Sequence, residues 1–167
     1  RSFGNYRLYN KDFNVCETEE ICISNNTFSI DDYYYCRLFS LTINLFYNDQ
    51  IFVELLRFIE YSGFKASDYL RFVHDTIVNT EKYAKNTIVQ KYRIFDSESK
   101  DEFFESKEAL LDKVQNDEEF VEKLVNGESG NNLLFNTQGH ILYHHFPALN
   151  NLAFDLAFDF LSENNRK

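Results

Sequence analysis

The heptapeptide GHILYHH places His140 and His144 four residues apart, with His145 beside the second. On a helix that spacing puts two imidazoles on one face, where they can begin a zinc site. Protease-type zinc chemistry also needs a glutamate straight after the first histidine, and this chain has Ile141 there. No third ligand stands at a recognisable spacing. His140 and His144 are therefore expected as surface or partly buried helix histidines, with a metal or ligand site as the alternative. His74, next to Asp75, is expected on an exposed helix face.

Other residues with chemical potential lead to structural expectations. Cys16, Cys22 and Cys36 are an odd number, and five residues separate the first two. That is neither a disulfide framework nor a familiar zinc or iron–sulfur spacing, so free thiols in a reducing cytoplasm are expected. The segment NGESGNN, Asn126 to Asn132, has two glycines before a helix, but no P-loop lysine and a repelling Glu128. It is expected to connect two helices. Acidic runs such as DSESKDEFFES suit helix N-termini and solvated faces. No Ser–His–Asp or Cys–His arrangement is marked. Arg37, within Tyr-Tyr-Tyr-Cys-Arg on an apolar segment, needs a partner: an ion pair by default, a ligand or interface contact otherwise.

Charge narrows the partners. The 167 residues hold 17 basic and 27 acidic side chains, a net charge of −10. A phosphate-binding surface needs clustered Lys and Arg, so a nucleic-acid partner is not expected. No long uncharged apolar run exists, so no membrane span is expected. Phenylalanine (18) and tyrosine (11) are abundant and methionine is absent even at position 1, which suggests a piece of a longer chain.

The elements that must position these residues read as all-α: a single helical bundle of about seven helices with an irregular N-terminal arm. Residues 1–30 form the arm or linker from an upstream domain, residues 31–163 the helical domain, and residues 164–167 a polar tail. Within the arm, EEICIS suits a short strand. The first helix is expected from Asp31 to Tyr47, capped by Ser29 with Asp32. Its apolar circumference marks it as central, with Tyr35 and Cys36 mainly facing core. The second runs from about Gln50 to Ser62, capped by Asp49 and stopped by Gly63. The third starts at Ser67 and either reaches Phe95 unbroken or restarts at Asn79-Thr80. Asp96-Ser97-Glu98-Ser99 reads as a break. Shorter helices follow at about 107–115 and 118–126, then Asn132 to about Tyr143, and a last one from Pro147.

The pattern Phe28-Ser29-x-Asp31-Asp32-Tyr33-x-x-Cys36-Arg37, with LTINLFYNDQIFVELLRFIEYSGF, Ser67-Asp68 and the later GESGNNLL, resembles the C-terminal helical domain of radical SAM enzymes. It is most similar to the type with a cobalamin-binding domain, over roughly residues 25–160. The resemblance implies a parent enzyme that holds a [4Fe–4S] cluster, S-adenosylmethionine and, in that type, cobalamin (B12). The cluster's Cys-x-x-x-Cys-x-x-Cys motif and the cobalamin-ligating Asp-x-His-x-x-Gly motif are not in this chain, so no catalytic, cofactor-binding or metal-binding residue carries over. The implied role is a non-catalytic accessory domain that flanks or covers the catalytic barrel, with the upstream catalytic domain of the same polypeptide as partner. The alternative from a different class is a stand-alone helical protein-interaction module.

Overall fold

The computed structural model describes residues 3–164. Arg1 and Ser2 of the expected arm, and residues 165–167 of the expected polar tail, lie outside the described residues. The chain is mostly helical. Two strands, β1 (Phe3–Leu8) and β2 (Lys11–Cys16), precede eight α-helices among the described residues: α1 (Ile30–Ile43), α2 (Val53–Tyr61), α3 (Ala66–Asn79), α4 (Thr87–Asp101), α5 (Lys107–Asn116), α6 (Glu118–Val125), α7 (Leu133–His144) and α8 (Phe146–Asn164).

The arm is less irregular than expected. β1 and β2 pair antiparallel, with Tyr6 opposite Phe13 and Leu8 opposite Lys11. Tyr9 and Asn10 both take positive φ, 50° and 62°, the left-handed pair that suits a tight two-residue hairpin turn. EEICIS, by contrast, is not a strand. The nearest pairing is a lone bridge between Asn25 and Phe28.

Ser29 starts α1 as expected. Its Oγ accepts from the Asp32 amide at 3.1 Å, and its own amide donates to Asp32 Oδ2 at 2.8 Å, closing a capping box. The Ser29 amide, and the Ser29 hydroxyl donating to Oδ2 at 2.7 Å, hold the Asp32 carboxyl below its ordinary pKa. After Ile43 the helix widens into a π-helical turn over Asn44–Asn48. Gln50 then adopts a left-handed φ of 54°, so α2 begins at Val53 and not at Gln50. Asp49 does not cap it; its carboxylate accepts from Gln138 Nε2 at 2.6 Å instead. Gly63, at φ 90°, terminates α2 as its position suggested.

The long third helix divides. α3 ends at Asn79, and α4 restarts at Thr87, with the Asn86 side chain accepting from the Ile88 amide at 2.8 Å. α4 runs through Asp96-Ser97-Glu98-Ser99, where a break was expected. Lys100 donates to Asp96 at 2.6 Å across that segment, and Ser99 is buried. Asp117 and Asn132 cap α6 and α7 through the amides of Phe120 and Phe135.

The main core is built by α1, α2, α3, α4, α7 and α8, around fully buried Leu41, Tyr69, Tyr92, Ile141 and Leu156. A second, smaller core joins Cys16 of β2 to Val114 of α5 and Leu124 of α6. The hairpin is thus fastened to α5 and α6 and adds nothing to the main core. No described helix is long and apolar enough to cross a membrane.

Candidate functional site

Two adjoining clefts lie where α4, α5 and the segment after β2 meet. The first, about 460 Å³, is walled by the C-terminal end of α4, by α5 and α6, and by the 128–131 turn. The second, about 450 Å³, is walled by residues 17–23 and by the α4–α5 connection. Glu17, Glu102, Phe104 and Leu110 line both, so one ridge separates them. Each has the size of a small-ligand pocket.

Arg37 stands on that ridge. Its Nη2 meets Glu102 Oε2 at 2.5 Å, with both side chains 23% exposed. The guanidinium also lies over the rings of Phe103 and Phe95, at 5.7 and 6.0 Å. The expected ion pair is therefore present, and the same arginine lines the second cleft. Its neighbours on α1 do not face core as expected. Tyr35 is 47% exposed and Cys36 is exposed, while Leu38, Leu41 and Thr42 are buried. The start of α1 is covered on one side only, because its buried partners lie on α3 and α4.

His74 contradicts the expectation of exposure: it is wholly buried. Leu70, Val73 and Ile77 share its stripe of α3, a helical period that outweighs the charge of Asp75 as a signal. Tyr92 donates to Thr42 Oγ1 at 3.2 Å, and Thr42 Oγ1 lies 3.1 Å from His74 Nδ1. The Thr42 hydroxyl thus joins Tyr92 to the imidazole, and the other ring nitrogen, Nε2, faces the core. That atom has no hydrogen-bond partner. Tyr35 and Phe39 stand edge-on to the ring at 4.8 and 5.0 Å. Burial lowers the His74 pKa, and nearby Asp75 offsets only part of this. Such a histidine is a neutral core residue. It lines neither cleft.

His140 and His144 come together at the end of α7, with ring centroids 4.9 Å apart and His145 5.2 Å from His140. No set of three His, Cys, Asp or Glu side chains among the described residues is placed to hold a metal ion. The His140 pKa is lowered, first by desolvation and then by Lys91 and its histidine neighbours. Cys16 is buried and Cys22 and Cys36 are exposed; all three are free thiols. Burial raises the Cys16 pKa, which makes it a poor nucleophile. On the other side of the molecule's chemistry, Asp159 of α8 accepts from Lys82 and from the Tyr83 hydroxyl. Burial works to raise the Asp159 carboxyl, but those two bonds outweigh it and hold the carboxyl low.

The clefts and the hairpin were not legible as a site beforehand. Glu98, Asp101, Glu102 and Phe104 of the acidic run DSESKDEFFES line the first cleft, beside Cys16 of β2. No protein family, curated protein or solved structure matches the chain.

Proposed function

We propose that this chain is a non-catalytic helical domain, a bundle in architecture, that packs against the catalytic domain of a radical SAM enzyme of the cobalamin-dependent type. The observation that carries this reading is the outer face of the hairpin. Tyr6, Leu8, Phe13 and Val15 share that face by strand alternation and are 47–59% exposed. Four large apolar side chains on a two-stranded ribbon form a surface that a partner is expected to cover. The ribbon also lies in the segment read as leading from an upstream domain. The resemblance of residues 25–160 supplies the identity of that partner.

On this reading the iron–sulfur cluster, S-adenosylmethionine and cobalamin belong to the upstream domain. The enzyme works in the cytoplasm, and nucleic acid and membrane are not partners. The test is the coding sequence upstream of Arg1. An in-frame Cys-x-x-x-Cys-x-x-Cys motif is expected. A start codon directly before Arg1, with no such motif, contradicts the proposal.

A second reading, the stand-alone interaction module, is favoured by Phe154 and Phe158. They stand four residues apart on α8 at 55% and 71% exposure, far from the hairpin in sequence. A partner helix laid along α8 would cover both. Substituting Phe154→Ser with Phe158→Ser abolishes partner capture under this reading and leaves it intact under the first.

A further inference from the structure

The twin clefts combine an apolar floor with acidic rims. Phe104 and Leu110 belong to both floors; Phe120 and Leu124 extend the first and Phe103 the second. The rim of the first carries Glu98, Asp101 and Glu128; that of the second carries Glu19, Glu20 and Glu105. Two of the cations beside them are engaged. Arg37 is paired with Glu102, and Lys123 with Glu119 at 2.7 Å. Among the described residues, the first-rim carboxylates Glu98, Asp101 and Glu128 enter no ion pair.

The carboxylates are spread along the rims and do not converge on a point, since no trio is placed to hold a metal ion among the described residues. Spread negative charge over an apolar floor suits an extended cation with apolar side chains. The floor already accepts a cation: Lys113 Nζ lies 4.7 Å from the Phe120 ring centroid and 5.7 Å from that of Phe104.

We propose that these clefts together receive a short polypeptide segment in which Lys or Arg alternates with large apolar residues. The apolar side chains fill the two clefts on either side of the Glu102–Phe104 ridge, and the basic ones meet the rims. This site uses elements other than the outer hairpin face, so it stands or falls separately from the accessory-domain reading.

Fluorescence anisotropy with a labelled peptide of repeated Lys-Leu-Phe-Lys units tests it. Binding is expected at low ionic strength, weakening as salt is raised. A Glu-Leu-Phe-Glu peptide should not bind. Glu98→Gln with Asp101→Gln and Glu128→Gln, all exposed positions, should weaken binding about tenfold or more. Glu54→Gln with Glu60→Gln and Asp155→Gln removes the same charge elsewhere and should leave affinity within about twofold. Circular dichroism establishes that both variants keep the helical fold. Absence of peptide binding overturns the proposal, as does equal loss in the two triple variants, which would reflect net charge alone. Spermine binding as tightly as the peptide also overturns it, because the apolar floor would then contribute nothing.

Discussion

Protonated His74 carries an N–H on both ring nitrogens, and nothing accepts from Nε2; burial already holds its folded-state pKa below the ordinary value. The unfolded chain takes up that proton near pH 6.5, whereas the folded chain resists it to lower pH. Stability from this residue is thus fully present above about pH 6.5 and is lost as pH falls toward the folded-state pKa. Urea denaturation at pH 7.5 and 5.5 should show a smaller acid-induced loss for His74→Leu than for the parent chain. Equal losses would contradict the role given to His74. Arg37 makes a second residue-scale case. At 23% exposure its pair with Glu102 stands between a surface ion pair and a buried one. Arg37→Met, which keeps the apolar stem over Phe103, should cost about 1–3 kcal/mol by leaving Glu102 without its partner. A change below about 0.5 kcal/mol would show the pair to be a surface ornament. Arg37 was legible because a lone arginine on an apolar helix demands a partner. His74 was not, because its neighbour Asp75 drew attention away from the Leu70–Val73–Ile77 stripe.

At the scale of elements, local capping chemistry decides most boundaries. Ser29→Ala removes the side-chain half of the α1 box and should cost about 1 kcal/mol, read as a lowered denaturation midpoint without a change in slope. The caps at Ser29, Asp117 and Asn132 were readable because each rests on residues three positions apart. Elements set by distant contacts were not readable. The hairpin turns at Tyr9-Asn10, without the Asn-Gly pair that marks such turns in sequence, and its inner face closes on residues about a hundred positions away. α4 passes through Asp96–Ser99, where the Asp96–Lys100 pair at i and i+4 supports residues of weak helix propensity. The separate small core makes its own prediction. Truncation before Glu17 removes Cys16 from the contact with Val114 and Leu124. Amide exchange should then accelerate across α5 and α6 and stay unchanged in α3 and α8. Uniform acceleration across all helices would mean that the two cores unfold as one.

For the molecule as a whole, the division into two cores gives the surface its organisation. The main core buries its aromatic and aliphatic residues within six helices. The hairpin, α5 and α6 share a smaller core, and the hairpin turns one apolar face outward. Mostly helical character was legible from spacing, breakers and caps; among the described residues no helix is long and apolar enough to cross a membrane. The clefts were not legible, since they arise from segments brought together only in three dimensions. The outer hairpin face is the surface on which the proposed assembly depends.

Amide hydrogen exchange across β1 and β2 tests that dependence most directly, measured on this chain and on the chain extended through its upstream coding sequence. The account predicts marked slowing at Tyr6, Leu8, Phe13 and Val15 in the longer protein, where the catalytic domain covers them. Identical exchange in the two, with the hairpin face still open to solvent, would contradict it.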